Sequence, residues 1–343
     1  MSKFIKVMIS ILLIGIVMTI GGYLAGGLKS FAITSSGVIF DEKKTLKSES
    51  HSISDVNKIK IDVNYIDKIE IVTSDEFKLD IDTYDIDNNK RSIKYDITDG
   101  ELRVKEEYDD PVINFNLGFA TTNSKEKIKI SVPKDISLED INVTSDSSKI
   151  SISDVLLKKL NVKCDYGNID MKNINTDGDV SINATHGNIS VNDISCNKLT
   201  TDCDYGKISG RNVKVNNVNV DTDSGKFDVS LLTVADLMSI KNKYGDIKID
   251  NGDINKLNID ADSTEIKINS IGLNSVQIKN NYNDVTIDTT EKDELFNYNL
   301  KCDYKKIKVN GNSCEDNYIR NTNAPKNINI DCNSGDIKVN TGK

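Results

Sequence analysis

The sequence predicts an all-β fold: a single-chain, two-sheeted parallel β-solenoid with about 19–20 residues per coil, preceded by an N-terminal transmembrane helix. Three observations predict it. A Gly-centred phrase recurs at nearly constant intervals, apolar and polar residues alternate on both sides of each copy, and an apolar stretch lies close to the N-terminus.

The chain opens on a basic tip, residues 1–6, with Lys3 and Lys6. Residues 7–28 come next, with Ser10 and Thr19 the clearly polar side chains among them. As a helix this segment rises about 33 Å, enough for a bilayer core of about 30 Å. Basic residues on its N-terminal side place the tip in the cytoplasm and the rest of the chain outside. The alternative is a cleaved signal peptide, with residues 7–20 as the apolar core and Ser30-Phe31-Ala32 as the cleavage site. Both readings export the remainder of the chain. The expected location is the plasma membrane, single-pass, with the C-terminal domain at the cell surface. Residues 29–52 are polar without sustained periodicity and read as a tether.

Residues 53–137 carry strand patterns at 58–63, 68–72, 78–83, 92–97, 102–105 and 127–132, with Asp99-Gly100 as a hairpin-type turn. They read as an irregular N-terminal part of the solenoid that caps the stack.

Residues 138–343 hold the regular repeat: Tyr166-Gly-Asn-Ile, His186-Gly-Asn-Ile, Tyr205-Gly-Lys-Ile, Ser224-Gly-Lys-Phe, Tyr244-Gly-Asp-Ile and Ser334-Gly-Asp-Ile. With degenerate copies, the second position of the phrase falls at Ser148, Gly167, Gly187, Gly206, Gly225, Gly245, Thr264, Asn283, Lys305 and Gly335. Two residues beyond it stand Ile150, Ile169, Ile189, Ile208, Phe227, Ile247, Ile266, Val285, Ile307 and Ile337; five and seven before it are further apolar columns. Period two on either side of a glycine means two short strands joined at a corner, where Gly permits a backbone that a β-carbon would obstruct. One copy cannot bury its apolar face, whereas stacked copies align identical columns into one core. The corner glycines are thus structural: Gly167, Gly187, Gly206, Gly225, Gly245 and Gly335. An insertion near residues 311–325 reads as a loop bulging from the rod. The last coil, close to the C-terminus, reads as an exposed edge open to end-to-end self-association.

The net charge is −9, and a nucleic-acid binder usually carries a basic stripe, so no nucleic-acid partner is expected. Six cysteines form no CxxC pair and there are two histidines, which leaves no recognisable zinc, thioredoxin-type or triad pattern. No catalytic residue, metal site or cofactor is assigned.

Together, the basic tip and apolar segment, the Ser74-Asp75-Glu76 turn, the Lys127-Ile-Lys-Ile-Ser-Val-Pro133 strand and the Ser/Tyr-Gly-Asp/Asn-Ile series resemble the bacterial "putative adhesin" family of β-strand-repeat proteins over residues 53–343. The resemblance implies a cell-envelope location and an adhesive or envelope-stress role. It transfers no catalytic residues.

Two surface stripes are candidates for binding. The residue before the corner position gives Tyr166, Tyr205, Tyr244, Tyr282 and Tyr304, an aromatic row suited to stacking on sugar rings; its alternative is large–small packing at a crowded corner. Three beyond it stand Lys248, Lys267, Lys308 and Lys338, which either touch anionic wall polymer or guard a β face. Cys164, Cys203, Cys302 and Cys332 fall in an inward column; whether Cys302 and Cys332 form a disulfide is open.

Three functions are compatible with these features. The first is a non-catalytic, membrane-anchored envelope scaffold or adhesin, whose binding to wall polymer would weaken in salt. The second is an envelope-stress or regulatory component acting on a membrane or envelope protein through residues 7–28. The third, a polysaccharide-active β-helix enzyme, needs paired carboxylates in a cleft, whereas the outward carboxylates here are dispersed.

Overall fold

The computed structural model describes residues 12, 14–18, 31–34, 37–40, 45–85, 91–108, 113–115 and 126–342. Within them the alternation becomes a continuous parallel ladder. Ile141 and Val143 lie beside Leu160 and Val162, and these beside Val180 and Ile182. Across the corner, Ile150 pairs with Ile169, Ile169 with Ile189, and Ile189 with Ile208. Each step of one coil brings a side chain onto its equivalent about 4.8 Å away. Ile169, Ile189 and Ile208 are at most 1 % exposed, so the columns form one core running the length of the rod. Ile and Val suit this role because their branched β-carbons are stiff and fit a pleated surface.

Six central coils have a third inward segment, which corrects the two-sheeted expectation for them. After the second strand the backbone turns left-handed at Asp154, Asn173, Asp193, Asn212, Leu231 and Asn251, with φ between 52° and 61°. Beyond that turn Ile174, Ile194, Val213 and Leu232 point inward. The break is short: Lys172 and Asn173 both face outward, and the alternation resumes in the opposite phase. Asn and Asp suit the position because a short polar side chain tolerates left-handed backbone. They also bond along the column, Asn173 Nδ2 to Asp154 Oδ1 at 2.7 Å and Asn212 Nδ2 to Asp193 Oδ1 at 2.8 Å.

Leu231 breaks this column: it takes φ 53° with a branched apolar side chain that is 44 % exposed. Leu231→Asn should therefore stabilise the rod by about 1 kcal/mol, from the left-handed penalty it relieves. In thermal denaturation the midpoint should rise by about 1–2 °C.

Stack order departs from chain order at both ends. At the N-terminal end, Lys58–Ser74 lies against Asp140–Ser153 on one side. On its other side it takes Glu101–Tyr108 and Lys127–Pro133, which come later in the chain and form the last parallel coil. Antiparallel strands close that coil: Arg91–Thr98 on one segment, Lys78–Asp85 on the other, and Thr45–Ser52 beyond Lys78–Asp85. The turn at Asp99-Gly100 joins Arg91–Thr98 to its partner, both residues with positive φ. Thr45–Ser52 thus belongs to the cap and not to a tether. Phe31–Thr34, Gly37–Phe40 and Ile113–Phe115 form a separate antiparallel sheet.

The C-terminal end repeats the device. Lys326–Ser334 and Ile337–Gly342, last in the chain, insert between the coil that ends in Val285–Lys292 and the coil built from Phe296–Cys302 and Ile307–Val309. The outermost coil is covered by antiparallel Asn312–Cys314 and Asn317–Arg320. The expected bulging loop is therefore a capping hairpin, and the expected exposed edge at the chain's end is an interior coil. An uncovered parallel edge offers a row of unpaired N–H and C=O groups, which a locally connected hairpin can cover.

An arginine locks each cap. Arg91 donates from Nη1 to Glu126 Oε1 at 2.8 Å, from Nη2 to the Tyr65 carbonyl at 2.6 Å, and from Nε to Glu106. Burial lowers its basicity, but Glu126 and Glu106 outweigh that and hold its pKa above the usual value. At the other end Arg320 Nη1 meets Asp293 Oδ2 at 2.5 Å and the guanidinium lies 4.4 Å from the Tyr298 ring centre. Arg320 and the Tyr298 hydroxyl, which donates to Asp293 Oδ1 at 2.7 Å, hold the Asp293 carboxyl below its usual range.

Residues 12 and 14–18 are helical. Most of segment 7–28 lies outside the described residues, and among the described residues no helix is long and apolar enough to cross a membrane.

Candidate binding face at the first corner

The corner is built by close approach of backbone to backbone. A β-carbon on Gly206 would lie 1.9 Å from the carbonyl oxygen of Gly187 on the neighbouring coil. Gly167, Gly187, Gly225, Gly245 and Gly335 meet the preceding coil's carbonyl in the same way.

Immediately before this glycine column stand the aromatic residues. In stack order the column reads Tyr65, Ser147, Tyr166, His186, Tyr205, Ser224, Tyr244, Ser263, Tyr282, Ser334 and Tyr304. Tyrosine thus occupies every second coil, with serine between at all intervals but one. In chain order Tyr282 is followed by Tyr304 and only then by Ser334; the inserted C-terminal coil places Ser334 between them. Tyr65 joins the row because Lys58–Ser74 stacks on Asp140–Ser153. The side chains stand in solvent, from 49 % exposed at Tyr205 to 76 % at Tyr304, so they are not packed into the corner. At the single interval that lacks serine, the His186 imidazole sits between Tyr166 and Tyr205. The centroid separations are 5.0 and 4.9 Å and the interplanar angles 11° and 18°. These three rings lie across the rod, with their faces looking along it.

Charged groups flank the column and neutralise one another. Beside Ser224, Lys243 pairs with Asp223 and Lys226 with Asp246, each at 2.6 Å. The lysine stripe is spent in the same way: Lys248 meets Asp250 at 2.5 Å, Lys267 meets Glu265 at 2.7 Å, and Lys338 lies 3.6 Å from Asp284. Lys308 stands in the end coil, in register with Lys338. The stripe is therefore a mixed-charge surface, not a basic one.

The inward cysteines are buried thiols. Ala184 separates Cys164 from Cys203, while Cys302 and Cys332 are register neighbours. Burial, with neighbouring carboxylates, raises the Cys203 thiol to about 11; burial and then Cys302 raise Cys332 to about 11. Among the described residues no group of three or more His, Cys, Asp or Glu side chains is placed to hold a metal ion.

A profile of the Toastrack family DUF4097 matches residues 56–179 and again 175–340. The chain belongs to the Toastrack DUF4097 family. Both matches run through the stacked coils, and each takes in one capped end of the Toastrack rod. Among solved structures, a "putative adhesin" from Bacteroides fragilis is 18 % identical, with TM-score 0.39, over 67 % of this chain and 96 % of that one. A "putative cell adhesion protein" from Clostridium sporogenes is 14 % identical, with TM-score 0.26, over 87 % of this chain and 100 % of that one. A "putative adhesin" from Parabacteroides distasonis is 10 % identical, with TM-score 0.38, over 87 % and 97 %. No curated protein matches the chain.

Of the Toastrack site, the tyrosine positions and their alternation with serine from Tyr205 to Tyr282 were legible in sequence; their exposure and the places of Tyr65 and Ser334 in the row were not. The arginine clamps carried no sequence signal beyond rarity: Arg91 and Arg320 are two of four arginines in the chain.

Proposed function

We propose that this Toastrack protein is a non-catalytic cell-envelope scaffold of adhesin type. Residues 7–28 anchor it in the plasma membrane, and the rod presents one long corner to a wall polymer outside. The observation that carries this reading is the row of exposed tyrosines on alternate coils of a single corner. Surface aromatic residues at regular spacing bury apolar area against a partner at small entropic cost. A non-catalytic role is supported by carboxylates bound in lysine pairs along the face instead of converging on a cleft.

Binding through tyrosines predicts little salt dependence, because the lysines already have carboxylate partners. The full chain in detergent micelles should co-sediment with purified cell-wall sacculi, and should do so equally in low and high salt. Failure to sediment overturns the scaffold reading. If the anchored protein instead captures a membrane protein, and loses it when residues 1–28 are exchanged for an unrelated anchor, the regulatory role replaces it.

A further inference from the structure

His186 shows what fits between two tyrosines of this corner. Its ring fills the interval at 5.0 and 4.9 Å from the flanking rings, so an interval of two coils holds one ring-sized group. Four equivalent intervals have a serine in that place: Ser147 between Tyr65 and Tyr166, Ser224 between Tyr205 and Tyr244, Ser263 between Tyr244 and Tyr282, and Ser334 between Tyr282 and Tyr304. A serine side chain is too short to fill the volume that the His186 ring takes.

We infer that these four intervals are slots, each taking one pyranose ring of an uncharged glycan between two tyrosines. The inference rests on the wall-binding reading above and names its ligand class. The spacing favours a sugar. About 5 Å on each side is loose for one flat ring upon another, but it suits a puckered chair whose C–H bonds project from both faces. The flanks favour a neutral polyol. At the Ser224 slot, the Asp223–Lys243 and Lys226–Asp246 pairs supply donors and acceptors on both sides without an excess of either charge. Direction comes from the ring planes: since the faces of Tyr166 and Tyr205 look along the rod, a glycan in the slots they border crosses the rod instead of running along it. Several slots in line then gather several strands side by side, and avidity rises with their number.

The chain has no tryptophan, so its fluorescence comes from tyrosine, and six of its 12 tyrosines form the row. The test titrates the full chain in detergent micelles with two probes, the β-1,4-linked hexasaccharides of N-acetylglucosamine and of glucose. At least one should bind saturably, and the stronger of the two identifies the source polymer. Ser224→His, Ser263→His and Ser334→His combined should fill three slots as His186 fills its own, cutting the hexasaccharide bound per chain at saturation by about fourfold. His186→Ser should open a fifth slot and raise the amount bound. The inference is overturned if neither hexasaccharide binds the parent chain, or if the triple-histidine variant melts like the parent and binds equally well. Sacculus co-sedimentation separates the two failures. Wall binding that persists without slot binding removes only the slots; loss of wall binding by the parent chain removes the scaffold reading as well.

Discussion

Gly206→Val should lower the melting temperature of the rod by about 4 °C or more, corresponding to about 3 kcal/mol or more for a chain of this size. The new β-carbon would stand 1.9 Å from the Gly187 carbonyl oxygen, 2.8 Å from its carbon and 3.2 Å from the Cys203 sulfur. Nothing soft lies in the way: the obstacle is backbone already engaged in the ladder, with the Gly187 N–H donating to the Tyr205 carbonyl at 3.2 Å. Relief requires the two coils to part at the corner, which disturbs the flanking Ile189–Ile208 contact as well. Circular dichroism on heating reads the effect. A melting temperature equal to that of the parent would mean that the corner is not set by backbone contact.

Arg91→Ala should cost about 3–5 kcal/mol, the range for removing one partner of a buried ion pair. The side chains of Glu106 and Glu126 are 1 % and 9 % exposed, so the substitution takes a guanidinium away from two carboxylates held in the interior. Arg91 also ties Arg91–Thr98 to the Tyr65 carbonyl, and Glu106 accepts from the Asn64 N–H at 2.5 Å. The loss should therefore concentrate in the N-terminal cap. Hydrogen exchange should accelerate over Arg91–Thr98 and Glu101–Tyr108 while the central coils keep their protection. Adding Glu106→Gln and Glu126→Gln should recover much of the loss, since the two buried negative charges then disappear. Uniform acceleration along the whole rod would contradict a local clamp.

The two caps explain a mismatch between pattern and architecture. Residues 311–325 have no alternation and read as a loop, yet Asn312–Cys314 and Asn317–Arg320 are strands. Their role is to cover an edge, and a strand of three or four residues leaves too short a pattern to recognise. Thr45–Ser52 is largely exposed, so no apolar period marks it as a strand. The third side of the central coils is hidden in the sequence because one left-handed residue shifts the phase of alternation, and two inward positions are too few to reveal a new phase.

What the sequence determined alone was the coil. Period-two alternation, the glycine at a constant place and the intervals near 19–20 residues together dictate which side chains face inward and that like stacks on like. These are local patterns, since the in–out choice is made between neighbouring residues of one strand. Tertiary structure alone decided which coil lies beside which. Chain order and stack order part at both ends because covering a bare edge is a long-range gain that no local pattern encodes. At the C-terminal end the tyrosine–serine alternation depends on that choice: Ser334 reaches its place between Tyr282 and Tyr304 only because the last coil of the chain inserts one step before the end of the rod.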